Sequence, residues 1–392
     1  MSSVRIPQTG SVITDSASGS ASSSKPIVFT ASNPPLLAAD QLIFMEEPDK
    51  ALGEGTTGIV YNGLYLPTKA HALIEVAIKV YKEDADDDEV PDEIDFIRRI
   101  EGVKAEATTL MQFQSPYIIR CYGITITPIR ICLVTELMKG GNLEDALQND
   151  CLDSQPVKLK IALSIVTALK EIHKKNYVYG DLKSANVLLT KEKKAKLADF
   201  DRTALESNIK MSGTIPYIAP EAITGIQTKK SDIYSFGILF LELMLEDYQL
   251  FVDAFAAYYA TEQSLLFFAD VAKGKIAAQI DKLLTACKDS SFTSLITSCI
   301  HSNPEERPDI NQIITTLNLL IQNASPKYTS ASSSSAATPR MHSDADPVKR
   351  DKIIKRTPSR SSPHRILNFF SPSKEITNLT HHVKSHTMRK SY

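Results

Sequence analysis

In the stretch "VYGDLKSANVLL", Val178 to Leu189, a carboxylate, an ammonium and a carboxamide fall two or three residues apart between apolar residues. Asp181 offers a proton acceptor, Lys183 a cation that can neutralise phosphate, and Asn186 an amide oxygen that can ligate a hard metal ion. Beyond another apolar segment, Asp199 in "KLADFDRT" adds a second carboxylate. Upstream, "LGEGTTGIV" sets Gly53, Glu54, Gly55 and Gly58 in a turn whose backbone can approach phosphates, although the same glycines also suit an ordinary tight turn. A strand-like segment follows them rather than a helix, which disfavours a Rossmann dinucleotide site. Lys79 lies in "VAIKV"; taken alone it reads as a solvent-facing strand lysine. Glycine turn, strand lysine, D-x-K-x-x-N and D-F stand in the order that phosphoryl transfer from ATP requires: phosphate cover, phosphate anchor, base, metal ligands.

These residues need two kinds of support. "GIVYNGLYL", "VAIKVY", "IIRCYGITI" and "ICLVTEL" are short, β-branched and aromatic, and predict strands. "PVKLKIALSIVTALKEIHKK", "SDIYSFGILFLELML" and "PDINQIITTLNLLIQ" repeat apolar residues at three and four and predict helices, the first and third opening near Pro156 and Pro308. A small β-rich lobe, residues 42–138, therefore precedes a larger helical lobe, 139–324. Residues 1–41 and 325–392 are rich in Ser, Thr and Pro and poor in periodic apolar residues, so both are expected to stay disordered.

The chain has 392 residues and a net charge of −2 that hides an asymmetry. Residues 326–392 hold 13 Lys and Arg against 4 Asp and Glu, a charge of +9, which leaves residues 1–325 at −11. The basic residues lie among Ser, Thr and Pro with little aromatic interleaving, so nucleic acid is not an expected partner. No apolar run has the length of a signal peptide or a membrane span, and five widely spaced cysteines lack metal-site spacing. A reducing compartment, cytosolic or nuclear, is expected, with the cytoplasm favoured. An acidic run, "EDADDDEVPDEID", is expected to be a solvated loop.

At this point the chain resembles the eukaryotic-type protein kinases across its folded unit, with "APE" at Ala219 to Glu221, "SDIYSFG", and "NPEERP" carrying Arg307. "SDIYSFGILFLELM" and "GDLKSANVLL" look most like the tyrosine-kinase-like group of serine/threonine kinases. The resemblance implies an α+β, bilobal protein kinase fold, with ATP and Mg2+ as cofactors and serine or threonine of protein substrates as acceptors. It implies Asp181 and Lys183 as the catalytic pair and Asn186 and Asp199 as metal ligands. Lys79 would hold phosphates and pair with Glu106, with Glu101 as the fallback. Gly53, Glu54, Gly55, Gly58, Val60 and Ala77 would surround the nucleotide, Thr135 would be the gatekeeper, and Glu136 and Met138 would offer backbone groups to adenine. Arg307 would pair with Glu221. Thr214 would bridge base and lysine, as serine/threonine specificity requires.

Three positions depart from the family pattern. Gly180 stands where many members carry an Arg that binds an activation-segment phosphate; activity is then not expected to depend on that phosphate. Tyr179 replaces the usual His. Asp201 in "DFD" replaces a Gly, which restricts the backbone and adds a carboxylate. An active kinase that tolerates Asp201 and a weak nucleotide-binding pseudokinase scaffold both remain open. In the tail, Thr357-Pro358, Ser362-Pro363 and Ser371-Pro372 suit a proline-directed kinase, and "RILNF", Arg365 to Phe369, is similar to a cyclin-docking motif. An apolar latch formed by Ile366, Leu367, Phe369 and Phe370 is the alternative there. A cytoplasmic kinase and an effector delivered into a host cell would look alike in this domain.

Overall fold

β-branched and aromatic residues favour a pleated, half-buried surface, and the early segments adopt one. The computed structural model describes residues 34–44, 51–55, 57–68, 72–82, 93–127, 130–152, 154–207, 213–258, 264–287 and 289–324. All lie in the second of two compact units, Asn33–Tyr392. Strands β1 (Leu42–Phe44), β2 (Ala51–Glu54), β3 (Gly58–Tyr65), β4 (Ile74–Tyr81), β5 (Cys121–Thr127) and β6 (Arg130–Glu136) form one sheet in the order β1-β3-β4-β6-β5, with β2 also on β3. Every pairing in it is antiparallel.

β4 sits inside this sheet, and alternation divides its side chains between two faces. Val76 and Ile78 pack with Cys132 and Val134 of β6 on one face. Ala77, Lys79 and Tyr81 share the other, toward helix α1 (Glu93–Met111), whose Val103 and Ala107 cluster with Ile124, Ile131 and Leu133. Gly58 is needed at the start of β3, because a Cβ there would lie 2.5 Å from the Val80 carbonyl oxygen.

The sheet also takes residues ahead of the expected boundary at 42. Leu37 is buried, its N–H donates to the Ile124 carbonyl at 2.8 Å, and the Ile124 N–H donates to Pro35 at 2.9 Å. Two leucines inside a polar stretch carry no periodicity, so only the sheet edge identifies this attachment. The acidic run up to Asp92, the tail phosphorylation sites and "RILNF" lie outside the described residues.

After α2 (Leu143–Gln148) comes the helical lobe, built on α3 (Gln155–Lys174) and α5 (Lys229–Met244). Residues 231–234 and 236–244 of α5 are buried, which suits a helix apolar on nearly all sides. Thr228 starts it with a capping box, its side chain accepting from the helix while the Ser231 hydroxyl accepts from Thr228 N–H. Around this axis lie α4 (Pro220–Ile223), α6 (Tyr248–Phe255), α7 (Ser264–Ala272), α8 (Lys275–Ala286), α9 (Ser290–Cys299) and α10 (Ile310–Ala324). Two small ribbons frame the loops at the lobe boundary: β7 (Tyr177–Val178) with β10 (Ala204–Leu205), and β8 (Val187–Leu189) with β9 (Ala195–Leu197). No described helix is long and apolar enough to cross a membrane.

Candidate active site

Asp181 sits just past β7, its carboxylate held from two sides. Thr214 Oγ1 donates to Oδ1 at 2.7 Å and Lys183 Nζ donates to Oδ2 at 2.9 Å, while Lys183 also donates to Thr214 Oγ1 at 3.0 Å. This closed triangle fixes the carboxylate in one orientation. Asn186 donates from Nδ2 to the Asp181 carbonyl at 2.9 Å. Its amide oxygen is thereby turned away from that bond, and Asn186 and Asp199 both line the cleft between the lobes. Two hard oxygen donors facing one cleft are a donor set that suits Mg2+. Among the described residues, no group of three or more His, Cys, Asp or Glu could hold a metal ion.

Across the cleft, Lys79 Nζ lies 3.0 Å from Asp199 Oδ1 and 3.5 Å from Glu106 Oε1. Glu101 instead pairs with Lys104 at 3.2 Å. Burial works against the Lys79 charge, but the carboxylates of Asp199 and Glu106 outweigh it and raise its pKa well above the ordinary lysine value. For Asp199, burial opposes ionisation, yet the charge and hydrogen bond of Lys79 hold its carboxyl below the usual value. Glu106 moves the other way, raised because burial outweighs the attraction of Lys79.

Gly55, Gly58, Val60 and Ala77 form the roof of the same cleft, and Thr135 stands at its back. Gly53 and Glu54 lie outside the lining, and the Glu54 carboxylate pairs with Lys82. Glu136 and Met138 also lie outside it. The Glu136 N–H already donates to the Arg120 carbonyl at 2.9 Å and its carboxylate accepts from Lys196 at 2.5 Å. The Met138 carbonyl accepts from Gly141 N–H at 3.3 Å. Lys183 reaches the site through Asp181 rather than by lining the cleft.

The loop is held from below by α5. Asp232 accepts from Tyr179 N–H at 2.9 Å and Gly180 N–H at 3.0 Å, and its Oδ2 lies 2.7 Å from His173 Nε2. Gly180 has φ +86°, a conformation that costs a side-chain-bearing residue energy, and its carbonyl accepts from Gln227 at 3.1 Å. Tyr179 is fully buried, donates through its hydroxyl to the Ala198 carbonyl, and meets the Phe200 ring edge-on with centroids 5.4 Å apart. An aromatic ring thus fills this apolar slot.

Asp201 avoids the strain that its place in "DFD" suggests. Among the described non-glycine residues, positive φ occurs at Asp150, Asn176, Lys193 and Asp199, and not at Asp201. Its carboxylate lines the cleft and lies 3.6 Å from Arg202 Nε. Partial loss of water and then the neighbouring Asp199 charge push its pKa up to about 7.

Leu188 and Ala198 were not singled out in the sequence, yet they line the floor. In β8, Val187 and Leu189 are buried while Leu188 is not; the stretch is apolar throughout, so nothing in the sequence marks Leu188 as the one that faces the cleft. Nothing in the sequence singled out Asp232 as the group under the loop. Farther off, Arg307 grips Glu221 with two bonds, 2.6 Å from Nη1 to Oε1 and 2.8 Å from Nη2 to Oε2. Beneath the loop, Glu242 of α5 accepts from Ser184 at 2.8 Å and Tyr217 at 2.7 Å, and burial pushes its pKa up to about 8.

The family model described as protein kinase domain matches residues 47–317. Among curated relatives, probable serine/threonine-protein kinase PBL4 of Arabidopsis thaliana is 30% identical over 349 residues, 79% of either chain. Receptor-like cytoplasmic kinase 176 of Oryza sativa subsp. japonica is 30% identical over 302 residues, 70% of this chain and 72% of that one. Stress-activated protein kinase alpha of Dictyostelium discoideum is 30% identical over 282 residues, 69% of this chain. The chain spans 41% of that last relative and only 23% and 15% of two other Dictyostelium kinases.

Proposed function

Since the chain belongs to the protein kinase domain family, we propose that it transfers the γ-phosphoryl group of ATP to serine or threonine hydroxyls of protein substrates. One observation carries this: the Asp181 carboxylate held by Lys183 and Thr214, opposite the Lys79 pair with Glu106 and Asp199. Asp181 orients the acceptor hydroxyl and takes its proton. Lys183 lies beside the transferring group, and Lys79 anchors the other phosphates. Asn186 and Asp199 would hold Mg2+, which when bound would neutralise phosphate charge. Within the family, the loop sequences favour the tyrosine-kinase-like group. The folded unit is proposed to run through residue 324, and the chain to work in a reducing, cytoplasmic setting, where its five cysteines stay free.

With Gly180 in place of an arginine, the loop has no guanidinium to capture an activation-segment phosphate. Turnover is therefore proposed to be independent of phosphorylation in that segment.

A second reading, a nucleotide-binding scaffold, draws on Asp201, which adds a carboxylate to a cleft that must accept phosphates. Radiolabel transfer from ATP to a generic protein substrate separates the two, with Asp181→Asn as the control. Wild-type transfer at least roughly 100-fold above Asp181→Asn supports the kinase; equal signals from both leave the scaffold.

A further inference from the structure

Tyr81 is the last residue of β4, two positions past Lys79 and on the same face of the strand. Its hydroxyl donates to Glu106 Oε2, while Lys79 approaches the other oxygen, Oε1, at 3.5 Å. The Lys79 ammonium also lies 5.0 Å from the centre of the Tyr81 ring. Arg99, two turns earlier on α1, reaches the Tyr81 carbonyl at 3.5 Å. The ring itself packs on the cluster containing Val103 and Ala107. One residue thus touches α1 through its side chain and its backbone, and touches both members of the Lys79–Glu106 pair.

From this geometry we infer that Tyr81 is a positioning residue for ATP: by holding Glu106 it sets both the seat of α1 and the place of the Lys79 ammonium. Glu106 is only 5% exposed, so its carboxylate must find donors within the protein. Lys79 supplies one and Tyr81 the other. The phenol on Oε2 leaves Oε1 for Lys79, so the ammonium is held between Glu106 and Asp199, facing the cleft where phosphates arrive. Without the hydroxyl, Glu106 loses one of its two donors and α1 loses a tie to β4, so the Glu106 end of the pair that positions the ammonium is no longer fixed. Burial, then the Glu106 charge, keeps the phenol protonated, so the donor is present throughout the working pH range.

The inference rests on the kinase reading above, and Tyr81→Phe tests it, since only the hydroxyl is lost and the ring remains. The expected result is a KM for ATP raised roughly tenfold, the worth of one hydrogen bond to a charged group, with the peptide KM within about twofold of wild type. Affinity for a fluorescent ATP analogue, which needs no turnover, should fall in parallel. In a Glu106→Ala background the same substitution should change analogue affinity less than about twofold, because its target is gone. An unchanged ATP KM in Tyr81→Phe overturns the inference, as does an equal effect in both backgrounds. If Glu106→Ala does not fold, the split between ATP and peptide KM in the single variant decides alone. Wild-type protein that transfers no phosphate defeats the kinase reading; active wild type with an unaffected Tyr81→Phe defeats this inference only.

Discussion

Thr214 Oγ1 donates a 2.7 Å hydrogen bond to Asp181 Oδ1 across 33 residues of chain, joining the segment before "APE" to the loop that carries the base. Removing a hydrogen bond to a charged group costs roughly 1.5 to 3 kcal/mol. Thr214→Val should therefore lower kcat roughly 10- to 100-fold, whereas Thr214→Ser keeps the hydroxyl and stays near wild type. Steady-state assays on one peptide compare the three; equal loss in both variants would show that the hydroxyl is not what matters.

Lys79 is the only cation within reach of both Asp199 and Glu106 among the described ion pairs. Lys79→Met should reduce transfer by roughly 10² to 10³. It should also lower the melting temperature, because Glu106 is left buried without its ammonium. Circular dichroism melts beside the transfer assay check both parts, and a wild-type rate would remove Lys79 from the phosphate site.

Gly180 donates to the Asp232 carboxylate from a positive-φ conformation. An L side chain in that region costs about 1 to 2 kcal/mol. Gly180→Ala should lose that much stability in denaturant unfolding. A neutral or stabilising result would show that the loop relaxes to another conformation.

Glu242 gives a pH signature. Its pKa is raised from 4.5 to about 8 in the folded protein, so the folded state keeps a proton that the unfolded chain releases. The unfolded state then binds fewer protons between these values, and stability from this group declines as pH rises from about 4.5 to about 8. Glu242→Gln cannot ionise. Its melting temperature minus that of wild type should grow steadily from pH 5 to pH 8 and level off above. A difference independent of pH would mean that Glu242 is already ionised in the folded protein.

Arg307 is buried against Glu221 and Tyr234, and its guanidinium also donates to two carbonyls. Arg307→Ala leaves Glu221 without its cation and should cost roughly 3 to 5 kcal/mol, read as a shifted urea midpoint. A shift of under about 1 kcal/mol would place the pair at a solvent-screened surface instead.

By itself the sequence determined the order of the parts and the character of each element. Local composition is enough for that: β-branched runs predict strands such as β3, three-four periodicity predicts helices such as α3, and the D-x-K-x-x-N spacing places Asp181, Lys183 and Asn186 on one loop. What only the tertiary structure decided are contacts between residues far apart in the chain. Asp232 is 52 residues from Gly180, and no periodicity marks it as the group under that loop. Tyr81 reads as one more aromatic strand residue until α1 packs against β4 and brings Glu106 to its hydroxyl. The same holds for the backbone at Asp201, whose angles the surrounding fold imposes and residue type alone does not. Strand and helix propensities act over a few residues, whereas these distances depend on how the sheet, α1 and α5 pack, and that is decided by the sum of many burial contacts in the whole fold.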